Sequence, residues 1–113
     1  MRLLKVALFS ALLATTGAAQ EHDHSHHGER LGTVDFPTSC AEAVQAQFKR
    51  GVALLHSFWY DEAERTFRQV AAADPRCGMA WWGVAMSNYH PLWAGPTPDE
   101  MKRGADAARK AVR

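Results

Sequence analysis

Residues 44–75 read VQAQFKRGVALLHSFWYDEAERTFRQVAAADP, and this stretch decides the fold. Apolar side chains recur every three or four positions in both of its halves, which is the spacing that places them on one face of an α-helix. Between the halves stands the aromatic run Phe58-Trp59-Tyr60. The stretch therefore predicts two amphipathic helices joined by an aromatic elbow.

Small and large residues within this stretch predict how closely the two helices pack. Gly51 has no side chain, so the second helix can approach the first helix at that position. Ala63 is the small counterpart on the second helix, and Phe67, one turn later, is expected to fill the groove between them. Pro75 cannot continue a helix, so the pair is expected to end at Asp74-Pro75.

The spacing of Gly51, Ala63, Phe67 and Pro75 resembles the tetratricopeptide repeat, a helical hairpin with a period of about 34 residues. The sequence departs from the family pattern at Gln47, Arg50 and Leu54, where the family usually has Trp, Leu and Tyr. The resemblance implies an all-α fold of stacked antiparallel helical hairpins, an α-solenoid of about two repeats.

A second unit follows in the same register. One repeat period after Gln47 stands Trp81, the aromatic residue that the first unit lacks. The small residues Gly83 and Ala85 follow it, so the run of residues 79–86 looks like the first helix of a second hairpin. The repeat domain is therefore expected to cover residues 38–113.

Four helices are predicted, over residues 40–57, 61–73, 76–89 and 98–113. Ser39 and Glu42 fit a capping box at the start of the first helix, and Asp61 is the expected N-cap of the second. Thr97 and Glu100 fit a capping box for the fourth, with Pro98 at its first position.

The fourth helix carries apolar residues that need a neighbour, namely Ala105, Ala108 and Val112. A stack of helical repeats needs about three units before its core is closed. We therefore expect that the chain is a truncated piece of a longer solenoid with further repeats beyond residue 113. The alternatives are self-association and a partner that covers this helix.

The first 19 residues predict a signal peptide. Arg2 and Lys5 precede an apolar run over residues 6–14, and Gly17-Ala18-Ala19 offers small residues for cleavage. The apolar run is about half as long as a membrane-spanning helix requires. The sequence predicts an exported chain, periplasmic or secreted, with no membrane association once the leader is removed.

Composition narrows the choice of partners and activities. The chain has 13 basic and 12 acidic residues, and loss of Arg2 and Lys5 would leave a net charge near −1. A nucleic-acid partner is therefore not expected. Since the sequence contains no catalytic motif of the hydrolase, zinc-protease or phosphate-loop kind, we do not expect an enzyme.

Residues 20–37 are polar and predict a disordered, His-rich linker. Its four histidines are His22, His24, His26 and His27, interleaved with acidic residues. Such a tail can bind Zn²⁺, Cu²⁺ or Ni²⁺ weakly, and no other cofactor is expected. The alternative is a solvated tail that captures metal only in the test tube.

Cys40 and Cys77 are the two cysteines, and each opens a first helix of its unit. In antiparallel stacked hairpins these two starts lie at the same end, so an exported chain favours a disulfide between them. The alternatives are two buried free thiols, or a zinc pair completed by histidines of the tail.

In the tetratricopeptide family, the first helices of successive units line a concave groove that takes extended peptides or partner helices. Carried over, the groove positions are Gln45, Phe48, Val52, Leu55, His56, Met79, Trp82, Met86, Tyr89 and His90. They are mostly apolar and aromatic, which favours an apolar protein or peptide partner. The alternative is that Phe48, Trp82 and Met86 are core residues.

The resemblance thus implies an exported scaffold for protein–protein interaction. The alternative function is a periplasmic metal-binding protein that uses its histidine tail.

Overall fold

The computed structural model describes residues 30–90 and 92–113 of the chain. Across those residues the chain forms four α-helices and no strand, which confirms the all-α prediction. The helices are α1 Glu42–His56, α2 Tyr60–Ala73, α3 Gly78–Asn88 and α4 Pro98–Ala111. None of these helices is long and apolar enough to cross a membrane. The predicted leader and the four tail histidines lie outside the described residues.

The helices form two hairpins, α1 with α2 and α3 with α4. In the first hairpin, Gln47 bonds Gln69 and Gly51 faces Phe67, so the two helices run in opposite directions. In the second, Arg103 bonds Asn88 while Gly78 faces Ala111, which is again antiparallel. Contacts between α2 and α3 join the hairpins into one body.

Phe67 stands at the centre of the core, and two glycines make room for it. A Cβ added at Gly51 would lie 2.8 Å from the Phe67 ring, and one added at Gly83 would lie closer still. The ring of Phe48 packs against Phe67 with 5.5 Å between centroids. The prediction that Gly51 admits the second helix and that Phe67 fills the groove is therefore confirmed.

The predicted caps of α1 and α2 are wrong, whereas that of α4 is confirmed. At α1 no side chain caps the helix, and Ala41 is the N-cap residue in place of Ser39. At α2 the N-cap residue is Trp59, so Asp61 lies inside the first turn. At α4 the Thr97 hydroxyl and the Glu100 carboxylate form the predicted reciprocal box.

Asp74 replaces the missing cap of α1 from a distant part of the chain. One of its carboxylate oxygens accepts the Ala41 N–H at 2.8 Å, and the other accepts the Arg76 N–H at 3.1 Å. Its backbone carbonyl accepts the Cys77 N–H at 3.0 Å. One buried residue therefore ties together the start of α1, the end of α2 and the turn before α3.

The predicted Cys40–Cys77 disulfide is present, with 4.8 Å between the two Cα atoms. It joins the start of α1 to the start of α3, beside Asp74. This end of the molecule is consequently fixed by a covalent bond and by the hydrogen bonds of one carboxylate.

We expect Asp74→Ala to lower the free energy of unfolding of the oxidised protein by about 2 kcal/mol, because two backbone N–H donors lose a charged acceptor. Urea unfolding followed by circular dichroism measures the loss. Asp74→Asn, which keeps an acceptor oxygen, is the control and should lose less. An unfolding midpoint identical to that of the parent in both variants would show that Asp74 does not cap α1.

Candidate functional site

The groove predicted from the sequence is covered by the chain's own N-terminal segment. The Phe36 ring lies 5.5 Å from that of Phe48 on α1 and 5.7 Å from that of Trp82 on α3, centroid to centroid. Leu31 and Val34 also pack against the core. The prediction of a disordered linker is therefore wrong for residues 31–36, which we call the arm.

Gln45 holds the residues that follow the arm against the start of α1. Its side-chain amide donates to the carbonyl oxygens of Thr38, at 3.2 Å, and of Cys40, at 2.7 Å. Its amide oxygen lies 3.1 Å from the Thr38 hydroxyl, which donates to it. Gln45, predicted as a groove residue, thus has a structural role.

Most of the predicted partner-binding residues are not available to a partner. Phe48 and Val52 are buried, so the prediction is wrong for both. Leu55, Met79 and Trp82 are partly buried against the core. The residues that remain accessible are His56, Met86 and Tyr89, with His90 partly buried.

An apolar surface lies instead between α3 and α4. It encloses a cavity of about 220 Å³ and includes Met86, Tyr89, Met101, Gly104, Ala105 and Ala108. We call this surface the α3–α4 face. Three of its large side chains are strongly exposed, Met86 at 37%, Met101 at 50% and Tyr89 at 56%.

Asn88 and Glu100, two polar side chains that line the same cavity, already have partners. The Asn88 amide donates to the Val84 carbonyl at 2.9 Å, and its oxygen accepts from Arg103 at 3.2 Å. Glu100 bonds Thr97 and His90. Apolar atoms are therefore what the cavity offers to a ligand.

Comparison of α2 with α4 shows that the α3–α4 face is an incomplete packing surface. Both helices have 14 residues. The fourth, eighth and eleventh residues of α2 are Ala63, Phe67 and Val70, and all three are fully buried. The same positions of α4 are Met101, Ala105 and Ala108, and all three are exposed. Other helices thus cover this face of α2, whereas the corresponding face of α4 is exposed.

The predicted site omitted a sequence signal that pointed to this face. Ala105, Ala108 and Val112 were expected to need a neighbour, and the structure leaves all three exposed. Met101 and Gly104 were not singled out. Comparing α4 with α2 from their first residues would have identified Met101, because it corresponds to Ala63.

Charged side chains follow one edge of the α3–α4 face. Lys102 and Arg109 each come one residue after an apolar residue of α4, so they form a stripe beside the apolar one, and Asp99 stands in the same stripe. Asp106 stands in the same stripe and pairs with Lys102 at 3.6 Å and with Arg109. Since α3 carries no charged residue, the two basic and two acidic side chains of this stripe leave the edge without a net charge.

A group of exposed aromatic residues borders the face at the loop end of the molecule. Phe58 and Trp93 both have positive φ angles, of 62° and 70°, and Trp93 is 85% exposed. Trp59 and Leu92 line the same depression, which Glu100 connects to the α3–α4 face. Strained backbone that presents aromatic rings to solvent is typical of interaction surfaces.

His90 links this loop to the start of α4. Its Nε2 lies 3.1 Å from a carboxylate oxygen of Glu100, and its Nδ1 lies 3.1 Å from the Ala94 carbonyl. Both ring nitrogens face acceptors, which the doubly protonated imidazolium satisfies. Burial lowers the pKa of His90, but the hydrogen bonds to Glu100 and Ala94 and the charge of Glu100 outweigh it and raise the pKa above 6.5.

The pKa of Glu100 is shifted in the opposite direction from that of His90. The Thr97 N–H and hydroxyl, followed by His90, lower the pKa of Glu100 to about 2. Glu100 therefore stays charged wherever His90 titrates.

The His90–Glu100 pair predicts a pH dependence of this loop. The pKa of His90 in the folded protein is raised above 6.5. The pair with Glu100 therefore contributes fully to the stability of the fold below pH 6.5, and this contribution is lost as the pH rises through the folded pKa. Histidine ring shifts in an NMR titration should give a midpoint above 6.5, and Glu100→Gln should lower that midpoint. Equal midpoints in the two proteins would contradict the pairing.

The predicted metal site, His22, His24, His26 and His27, lies outside the described residues. Within residues 30–90 and 92–113, one group of three potential ligands occurs, Cys40, Asp74 and Cys77, and the disulfide occupies both of its sulfurs. His56 and His90 take part in no such group there. The hypothesis of metal binding thus continues to rest on the tail.

Deletion of residues 22–27 is expected to remove most Zn²⁺ and Cu²⁺ binding, because that segment holds four closely spaced imidazoles. His56→Ala and His90→Ala serve as controls and should leave the affinity unchanged in calorimetric titration. A tail-deleted protein that still binds Zn²⁺ tightly, and loses it on His56→Ala, would contradict this prediction.

No protein-family model, curated protein or solved structure matches this chain. The function is therefore argued from the surface of the molecule.

Proposed function

We propose that this chain is an exported helical-repeat scaffold of the tetratricopeptide type that binds a protein partner on the α3–α4 face. The observation that carries the proposal is the apolar cavity of about 220 Å³ with Met86, Tyr89 and Met101 exposed around it. Single exposed apolar residues are common on soluble proteins, but contiguous apolar surfaces mark interaction sites.

The correspondence between α2 and α4 supports a helical partner. On α2 the buried stripe of Ala63, Phe67 and Val70 packs within a bundle of helices. The stripe of α4 has the same spacing, which suits the side chains of another helix. This differs from the groove implied by the resemblance, because the arm fills the space between Phe48 and Trp82.

Export is supported by the Cys40–Cys77 disulfide, since such bonds persist in oxidising compartments. A partner in the periplasm or outside the cell would therefore meet the face in its oxidised, rigid form. The near-neutral charge of the chain favours a protein over a nucleic acid as partner.

Site-specific photo-crosslinking in cells that export the protein tests the proposal. A photoreactive phenylalanine derivative at position 101 should form a protein adduct on irradiation. The same group at position 72 of α2, another exposed helical position, is the control and should form none. Ala108→Arg, which places a charge in the apolar stripe, should abolish the adduct formed at position 101.

Absence of any adduct at position 101, or equal adducts at positions 101 and 72, would contradict the proposal. The mass of the adduct also distinguishes a second copy of this chain from a different protein.

A further inference from the structure

We infer that the chain, when its disulfide is reduced, holds a Zn²⁺ ion between the sulfurs of Cys40 and Cys77 and the carboxylate of Asp74. We call these three residues the Cys–Asp site. Their ligand atoms all lie within 4.8 Å of one another. The site is separate from the histidine tail, whose imidazoles need no reduction, and from the α3–α4 face.

Hydrogen bonds that do not involve sulfur hold the backbone of the Cys–Asp site in place. The Cys77 N–H donates to the Asp74 carbonyl at 3.0 Å. The Cys40 carbonyl accepts the side-chain amide of Gln45 at 2.7 Å, and the Ala41 N–H donates to the Asp74 carboxylate at 2.8 Å. The arrangement of the three residues therefore does not depend on the bond between the sulfurs.

Coordination of a metal requires only that the two sulfurs separate by a short distance. Zn²⁺ binds thiolate sulfur at about 2.3 Å with tetrahedral geometry, which places two such sulfurs about 3.8 Å apart. The Cα atoms of Cys40 and Cys77 are 4.8 Å apart. Once the bond between the sulfurs is broken, rotation about the two Cα–Cβ bonds can supply this separation. Asp74 is then the third ligand, and water takes the fourth position.

The carboxylate of Asp74 is oriented in the way that a metal ligand requires. Its two oxygens accept the N–H groups of Ala41, at 2.8 Å, and of Arg76, at 3.1 Å. Each carboxylate oxygen has a second lone pair, so these bonds leave positions for a metal. Ligating carboxylates are commonly hydrogen-bonded in this manner, because the bonds fix their orientation.

The charges of the reduced site favour a divalent cation. Asp74 is only 9% exposed, and the ion pairs of the described residues involve other carboxylates. Cys77 is the N-cap residue of α3, and Cys40 immediately precedes Ala41, the N-cap residue of α1. The dipoles of both helices favour thiolates there. Two thiolates and a carboxylate repel one another, and a bound Zn²⁺ removes most of that repulsion.

A depression beside the Cys–Asp site gives access to it. The depression has a volume of about 690 Å³ and is lined by Ser39, Pro75 and Gly78, each of which is adjacent in sequence to a residue of the site. Its charged lining residues are Arg76, Lys110 and Arg113. These basic side chains suit the single negative charge that Zn²⁺ with two thiolates and one carboxylate retains.

The types of ligand select the metal. Ca²⁺ and Mg²⁺ take oxygen ligands, so two sulfurs exclude them. Thiolates bind Zn²⁺ and Cu⁺, and the carboxylate favours Zn²⁺ because Cu⁺ prefers soft ligands alone. Zn²⁺ is therefore the ion that matches all three groups.

Binding and release of the ion are coupled to a two-electron exchange. A dithiol reductant transfers two electrons and two protons to the Cys40–Cys77 bond, which gives two thiols and leaves the reductant as a disulfide. Zn²⁺ then binds the two thiolates, and both thiol protons pass to solvent. Exchange with an oxidised dithiol forms the bond between the sulfurs again and releases Zn²⁺. The oxidised chain is thus the metal-free state of this site.

Spectroscopic titration of the full-length protein with Co²⁺, followed by Zn²⁺, tests the inference. The protein is reduced with a water-soluble phosphine, which becomes the phosphine oxide, because a dithiol would compete for the metal. Absorption from thiolate-to-cobalt charge transfer in the near ultraviolet reports sulfur ligands, and the imidazoles of the histidine tail do not produce it. Circular dichroism monitors the helical fold in the same samples.

We expect the reduced protein to develop this absorption with one Co²⁺ per chain and to lose it when Zn²⁺ is added, whereas the oxidised protein should show none. Zn²⁺ at a hundred times its dissociation constant should raise the melting temperature of the reduced protein by about 10–20 °C. Cys40→Ser should abolish the absorption. Asp74→Asn should weaken Zn²⁺ binding at least about tenfold, and Asp61→Asn, at an exposed position of α2, is the matched control and should not.

Absence of the charge-transfer absorption from the reduced protein would overturn the inference. If the reduced protein loses its helical signal without metal, recovery of that signal with Zn²⁺ supports the site, and failure to recover refutes it. Equal Zn²⁺ affinities of the parent and Asp74→Asn would refute the role of the carboxylate and with it the three-ligand site. None of these results affects the photo-crosslinking at position 101, which tests the α3–α4 face alone.

Discussion

Reduction of the Cys40–Cys77 disulfide is expected to lower the melting temperature of the protein by about 20 °C. The bond closes a loop over a sequence separation of 37, which in the chain-entropy model stabilises the fold by about 3–4 kcal/mol. In a domain of this size each kcal/mol corresponds to about 4–8 °C. Thermal melting followed by circular dichroism, with and without reductant, measures the shift.

Cysteine variants provide the controls for this experiment. Cys40→Ser should reproduce the effect of reductant, and the double variant Cys40→Ser with Cys77→Ser should no longer respond to it. The hydrogen bonds that Asp74 accepts from the Ala41 and Arg76 N–H groups do not involve sulfur, so we expect them to remain after reduction and the shift to measure the loss of the disulfide. Two thiols titrating in the denatured, unreduced protein would contradict the presence of the bond.

Phe67→Ala is expected to lower the free energy of unfolding by about 3–5 kcal/mol, the usual range for truncation of a fully buried aromatic residue. The loss is large because Phe67 contacts both hairpins, with ring centroids 5.5 Å from Phe48 and 6.4 Å from Trp82. Phe58→Ala, at a half-exposed position, is the matched control and should change stability much less. Urea unfolding of the oxidised proteins gives both values.

The glycines around Phe67 give a second measurement of the same packing. Gly83→Ala should destabilise the protein, because a Cβ there would overlap the Phe67 ring. Combining it with Phe67→Leu should recover part of the loss, since the smaller side chain frees space beside Gly83. Additive losses in the double variant would show that the two positions do not share this contact.

Local sequence signals predicted the parts of the fold that depend on a few adjacent residues. The Thr97–Glu100 box formed as predicted because both partners lie within one turn of the same helix. Gly51 and Phe67 were predicted to meet because a residue without a side chain on one helix leaves room for a large ring on the neighbouring helix. The cysteine pairing followed from the common end of the two first helices.

Long-range competition explains where the sequence-based predictions were wrong. Ser39 and Glu42 have the spacing of a capping box, yet the N-cap of α1 is Ala41, two residues after Ser39, and its N–H donates to the carboxylate of Asp74, 33 residues further along the chain. A local sequence pattern cannot show that a carboxylate far along the chain will lie next to the start of the helix. The burial of Asp74 became predictable only once the helices were placed.

The arm accounts for the largest change in the candidate site. Its apolar residues, Leu31, Val34 and Phe36, are few and separated by polar ones, so the composition of residues 20–37 predicted disorder. Phe36 nevertheless packs between Phe48 and Trp82, where the predicted groove would have received a partner. The proposed interaction surface therefore lies between α3 and α4, where the alanines of α4 had been predicted to need a neighbour.

Oxidative footprinting of the methionines tests most directly whether the α3–α4 face is covered in the cell. In the isolated protein, Met86 and Met101 should be oxidised faster than Met79, which is partly buried against the core. In the native exported fraction we predict that Met101 and Met86 become protected while Met79 is unchanged, and that Ala108→Arg removes the protection. Equal oxidation rates of Met101 in the isolated protein and in the native fraction would contradict the proposal that a partner binds this face.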